Sequence, residues 1–395
     1  MDRTILSLFL AGFWLAAAPV HAETARTAQA ILKQATTYGT DQPNMQGYGQ
    51  EAVFVLGTGD NYGVDYRGGT DTSDPKKPFT PGKGQFCMGM PGPVATGWYC
   101  YGFLNFTLNG QEASTTKPGS VMVSENGRRA MVDSVWSMDA ADVRVRFLGL
   151  PGRDFLFCEM TVDPRQEVKS LDLTMMCYPA YFTGFYGQRE QARYVQTPAE
   201  LIREAEGRKN IRLEPKNNWW LIYGDDNFDV AKTKESEGPC AMLILPEDVV
   251  SIAIRGLGYD VTTTVSIGPQ TRRIRMAFWK MKGRTNAEAI AYFLKNGEAL
   301  RKELAALDFM PETVRVMDMS GITADVERIA RSEVVGSDFR KKATDLLAWI
   351  KESAADLAAG RDSIGPTERK LQLLVKYAGI VNEARLAEIL AAIGK

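Results

Sequence analysis

Histidine is almost missing from this chain. The one histidine among 395 residues, His21, sits in an amino-terminal stretch, MDRTILSLFLAGFWLAAAPVHA, that reads as a secretory leader. Arg3 precedes an apolar run from Ile5 to Ala18, and Val20-His21-Ala22 closes it as a small-x-small cleavage site. The run is short for a membrane span and is followed at once by Pro19. Cleavage after Ala22 would leave a mature protein without imidazole. That excludes Ser-His-Asp and Cys-His nucleophiles and HExxH zinc sites. Acid–base chemistry would fall to Asp, Glu, Tyr, Lys or Cys.

Other shortages narrow the function further. Lys and Arg (47) barely differ in number from Asp and Glu (48), so no basic excess tracks a phosphate backbone and nucleic acid is not an expected partner. No CxxC occurs, which removes thioredoxin-like and zinc-ribbon readings. The five cysteines, at 87, 100, 158, 177 and 240, leave at least one thiol unpaired. Cys87 and Cys100, either side of a Gly/Pro loop, are the best bridge candidates. A periplasmic or secreted location, with no membrane span after processing, is the expectation.

What is present is β structure followed by helix. Short runs such as EAVFVLG, SVMVSENGRRAMVDSVW and CAMLILP succeed one another from residue 51 to 282. They predict a mainly β fold, a large antiparallel β-sandwich of supersandwich-like size, ahead of a C-terminal α-helical bundle. The segments read as a leader (1–22), an N-terminal helix and lead-in (23–50) and the sandwich (51–282). A helical insertion interrupts the sandwich near 197–207. A connecting helix and linker (283–320) and the helical domain (321–395) follow. Thr285 and Glu288 form a capping-box pattern. Ser337, Gly365-Pro366 and Asn382 read as further helix starts.

Alternation in VRVRFLGLPGRDFLFCEM predicts a hairpin turning at Pro151-Gly152, with Val145 opposite Cys158 and Arg144 opposite Glu159. The next strand, placed beside it, puts Asp172 opposite Glu159. Arg144, Glu159 and Asp172 then form a row, which is the chain's catalytic candidate. Two adjacent carboxylates separate their pKa values as glycoside cleavage requires. The alternative is a solvated sheet face with a surface ion pair.

Aromatic residues supply the binding candidates. Tyr99, Tyr101, Tyr178, Tyr181, Phe185 and Tyr186, with Arg189, could receive a sugar on flat rings beside polar groups, or could fill a core. In NNWWLIYGDDNFD a strand apolar on both faces ends in Asp225, Asn227 and Asp229. Their spacing resembles the start of a calcium loop, but Val230 and Ser236 stand where glycine and glutamate are needed, so a turn is the stronger reading. No cofactor is expected, with calcium the one candidate.

The expectation is an exported protein that binds a glycan through an aromatic-rich sandwich face. Two alternatives stand beside it. One is a carbohydrate-active enzyme, a Glu/Asp glycoside hydrolase or a lyase using Tyr and Arg. The other is an envelope scaffold that docks a protein partner through its C-terminal helices.

Overall fold

The computed structural model describes residues 27–39, 45–58, 61–71, 87–89, 97–98, 103–113, 118–179, 192–203, 210–232, 238–257, 260–360 and 363–393. Strands come first: β1 (Gln29–Leu32), β2 (Thr36–Gly39), β3 (Met45–Val55), β4 (Asn61–Asp71), β5 (Cys87–Gly89), β6 (Gly97–Trp98), β7 (Asn105–Leu108), β8 (Gln111–Glu112), β9 (Ser120–Glu125), β10 (Ala130–Ser137), β11 (Ala141–Gly149) and β12 (Phe155–Pro164). Then come β13 (Leu171–Tyr178), β14 (Arg193–Gln196), β15 (Leu201–Arg203), β16 (Ile211–Leu213), β17 (Trp220–Asp225), β18 (Cys240–Ile244), β19 (Val249–Leu257), β20 (Val261–Ile267) and β21 (Arg273–Lys280). Helices close the chain: α1 (Asn286–Ala306), α2 (Glu312–Arg315), α3 (Met319–Arg331), α4 (Ser337–Glu352), α5 (Ala354–Ala358) and α6 (Ile364–Ile393).

The protein is mainly β, a large antiparallel sandwich with a C-terminal helical region. A nine-stranded sheet, β15-β14-β17-β18-β21-β12-β11-β10-β9, faces a seven-stranded sheet, β16-β19-β20-β13-β7-β8 with β6 on β13. Residues of the two inner faces form one core, where the Trp136 and Phe106 rings meet edge to face at 5.3 Å and Phe103 meets Phe278 at 4.8 Å. The remaining sheet, β1-β3-β4-β5 with β2 on β3, joins that core through Phe54, Val64 and Tyr66.

The nine-stranded sheet is buried on its outer face as well. Trp220, Ile222, Phe155, Phe157 and Trp279 point outward under α1, whose Phe293 lies 4.9 Å from the Trp279 ring. This answers the double-sided apolar run of β17. Leu221 and Tyr223 enter the sandwich core, and Trp220 and Ile222 meet the helix. The Thr285–Glu288 capping box sets where α1 begins. Past α1, Val326, Ile329, Leu346, Leu373 and Val381 form a separate core among α3, α4 and α6.

Four expectations on local structure are corrected. Residues expected as an N-terminal helix are strands, β1 and β2, both paired with β3. Ala30 faces in while Gln29 and Ile31 face out, and sheet pairing outweighs the modest helix propensity of so short a segment. The insertion at 197–207 contains no helix over its described part. Thr197 Oγ1 accepts the amides of Ala199 and Glu200, an N-cap geometry that here serves a turn, and the chain returns as β15. Asn382 starts no helix and lies within α6. In the β11–β12 hairpin Val145 faces Met160, Phe147 faces Cys158 and Arg146 faces Glu159. The expected pairing is shifted by two residues because the turn is longer, with Gly152 at φ 73°. A two-residue shift keeps every side chain on its predicted face.

Replacing Phe293 by Ala should cost about 3–5 kcal/mol, the usual range for emptying an aromatic core site. Urea denaturation of the two proteins measures it.

Candidate functional site

Three turns that gather at one end of the strands enclose an open cleft of about 660 Å³. The first follows β3 and contributes Leu56, Gly57 and Thr58, with Asn61 and Tyr62 from the start of β4. Gly57 takes φ 74°, a left-handed conformation that a side chain would strain. The second is the β11–β12 turn, which contributes Gly152 and Asp154. The two are tied together where the Gly152 amide donates to the Leu56 carbonyl at 2.6 Å. The third follows β21. Arg284 N donates to Met281 O at 3.1 Å around Gly283 (φ 70°), and this bend sets Lys280, Lys282 and Arg284 along one wall.

The lining is strongly polar. Tyr62 is buried at its floor and donates its hydroxyl to the Asp154 carbonyl. Arg284 is oriented from two sides, with Nη2 3.3 Å from Asp154 Oδ2 and its guanidinium 5.1 Å over the Tyr292 ring. Burial, followed by the Asp154 charge, pushes the Tyr292 phenol up. Among the described residues Asp154 is the one carboxylate lining the cleft, so an acid–base carboxylate pair is not assembled from them there.

None of these residues belongs to the catalytic or binding candidates that the sequence pattern offers. The available signal was WKMKGR, three cations at alternate positions across a glycine at a strand end.

The expected Arg144–Glu159–Asp172 row does not form. Its first two members do come together, with Arg144 Nη2 4.0 Å from Glu159 Oε1. Asp172 belongs to the other sheet. Between β12 and β13 the chain crosses the sandwich, so β13 pairs with β20 and β7, and Asp172 Oδ1 accepts Ser266 Oγ at 2.6 Å. Glu159 and Asp172 thus project from opposite outer faces, with the whole core between them. The alternation that predicted a neighbouring strand is equally satisfied by a strand facing across the core. Cys158 and Cys177 likewise face each other's sheets rather than sharing one. Burial holds both thiols well above their usual range, and both are free.

Glu159 is not a solvated surface group either, being 1% exposed. It belongs to a charged layer between the nine-stranded sheet and the C-terminal chain. Arg275 Nε bonds Glu159 Oε2 at 3.1 Å, and Arg275 Nη1 donates to Ala305 O at 2.6 Å. Arg146 takes both oxygens of Asp133, at 2.5 and 2.6 Å, and donates to Phe309 O. Arg129 bridges Glu125 to Met310 O, and Asp163 Oδ2 accepts the Ile364 amide at the start of α6. Asp133, Arg146 and Glu159 are buried and face opposite charges, an arrangement that holds elements together.

Asp225 is fully buried, with Arg193 Nη1 at 3.3 Å, and it accepts the amides of Ala192 and Asn227. Asp229 Oδ1 accepts Ala231 N. These are strand-end and turn contacts. Among the described residues no group of three or more His, Cys, Asp or Glu gathers to hold a metal. Tyr178 is buried at the end of β13. Tyr99, Tyr101, Tyr181, Phe185, Tyr186 and Arg189 lie outside the described residues, as does Cys100 of the expected bridge. Among the described residues no helix is long and apolar enough to cross a membrane.

No family model matches the chain, and no curated protein matches it. Solved structures resemble it weakly. A putative aldose 1-epimerase from Klebsiella pneumoniae is 9% identical, at TM-score 0.36, over 68% of this chain and 91% of the other. A protein in glycosyl hydrolase family 38 from Enterococcus faecalis is 8% identical, at TM-score 0.35, over 70% and 41%. A GH36 alpha-galactosidase from Geobacillus stearothermophilus is 11% identical, at TM-score 0.29, over 63% and 41%. The chain therefore spans less than half the length of the last two. Similarity at this level does not extend to a site.

Two outcomes follow from the charged layer. Arg146→Met should cost about 3–5 kcal/mol by stranding Asp133, while Asp133→Leu with Arg146→Met should recover much of that loss in a denaturation double-mutant cycle. Asp248, beside this layer, has its carboxyl raised to about 6 by burial, then by Glu247, against the opposing Arg275. Its folded value lies above the unfolded one, so its contribution is fully present at low pH and is lost as pH rises through about 6. Asp248→Asn should stabilise the protein at pH 8 and lose that advantage below about pH 4, near the unfolded carboxyl value, in denaturation curves taken across pH.

Proposed function

We propose that this protein is exported and binds carbohydrate in the cleft walled by the β3–β4 turn, the β11–β12 turn and Lys280–Arg284. The observation that carries the reading is the character of the lining. Thr27, Thr58, Asn61, Asp154 and three cations converge on a space of ligand size. The lining offers donors and acceptors together, in hydroxyl, amide, carboxylate and cationic groups. A sugar, with hydroxyls that donate and accept on every side, would satisfy them. Arg284 is held by Asp154 and Tyr292 before any ligand arrives, so little ordering cost remains. Binding is the activity we assign to this set of groups.

Export rests on the leader at residues 1–22 and places the glycan outside the cytosol. Calorimetry of the protein beginning at Glu23 against a glycan panel tests the reading. Arg284→Ala and Asn61→Ala should each weaken the best ligand by about tenfold, near 1.4 kcal/mol, while Asp172→Asn on the far sheet should leave it unchanged. Absence of any glycan binding, or equal loss in the Asp172 variant, would discard it. Intact mass of protein from its native host should begin at Glu23.

A further inference from the structure

The last helix carries an apolar face that none of the described residues covers. Along α6, Leu373, Ile380, Val381 and Ala384 are buried against the other helices. On the opposite side lie Val375, Gly379, Asn382, Leu386, Ile389 and Ile393. The large apolar members are 66%, 52%, 56% and 76% exposed in that order, with Leu390 beside them at 59%. A Cβ added at Gly379 would meet nothing within 4 Å.

The spacing of these positions is 4, 3, 4, 3, 4. That is the heptad alternation by which a helix presents one seam to another helix, and it runs without a break over about 28 Å at 1.5 Å per residue. Asn382, in the middle of the stripe, does not suit insertion into lipid hydrocarbon, which would leave its amide without a partner. The flank of the seam continues into a groove of about 430 Å³ between α4 and α6, with Leu346 and Trp349 in its lining.

We propose that this face pairs with the same face of a second copy of the chain, making a two-helix seam between protomers. Self-pairing is favoured by the polar positions. With the helices parallel, Asn382 meets Asn382 and the two amides can bond each other. Gly379 meets Gly379 and lets the backbones approach. An antiparallel pair would set Glu383 against its own copy and Arg385 against its own, like charges across one seam. An apolar partner helix of another protein would leave the Asn382 amide buried without a partner. The seam is short, includes a glycine and an asparagine, and lies at the small end of stable interfaces, so the dimer is a weak one with a dissociation constant on the order of micromolar.

Sedimentation equilibrium of the full chain across roughly 1 to 200 μM, a range that brackets such constants, reads the proposal directly. A concentration-dependent dimer is expected. Leu386→Glu and Ile389→Glu should each raise its dissociation constant by about tenfold or more, without changing the melting temperature of the dilute monomer. Oxidation of the Leu386→Cys protein should give a covalent dimer that the exposed off-seam Lys341→Cys protein does not. A monomer throughout that range overturns the proposal. So does a dimer untouched by both glutamate substitutions, which places the interface elsewhere. Failure of Leu386→Cys to cross-link within an established dimer overturns the parallel seam. None of these readings depends on glycan binding.

Discussion

Burial of the nine-stranded sheet on both faces is the constraint that organises the molecule. One face is fixed by the sandwich core, which any such fold needs. The other must also leave water, and it does so by two different chemistries. Under α1 the sheet presents tryptophans and phenylalanines. Towards residues 305–312 and α6 it presents Asp133, Arg144, Arg146 and Glu159. The apolar half gains from contact itself. The charged half is stable only while each group keeps its partner, so the C-terminal chain is held to the sheet by the cost of letting go.

That layer also changes the meaning of the ionisable residues that drew attention first. Glu159 and Arg144 are neighbours, as their alternation on β11 and β12 indicated. What alternation does not encode is which sheet the next strand joins. Once β13 crosses the core, Asp172 is on the far face and the carboxylate pair is gone. The charges that remain hold one element against another, with main-chain carbonyls of Ala305, Phe309 and Met310 as acceptors. The cleft, by contrast, is made of turns. Gly57, Gly152 and Gly283 each sit at positive φ, and together they bend three strand ends around one polar space. Sandwich rigidity sets the positions, and the loops supply the chemistry.

The sequence by itself determined the class of fold, since alternating short runs and the later helical periodicity follow from burial of one face at a time. It determined the capping of α1 by Thr285 and Glu288, which is a contact between near neighbours. It also determined the faces on which Val145, Arg146, Cys158 and Glu159 lie, because a slip of two residues leaves them unchanged. Tertiary structure alone decided that residues 29–32 are a strand, that Asp172 leaves Glu159, and that the Lys280–Arg284 wall meets the Gly57 and Gly152 turns. Each of those depends on a partner distant in sequence, and local pattern carries no record of which distant segment will supply the hydrogen bonds.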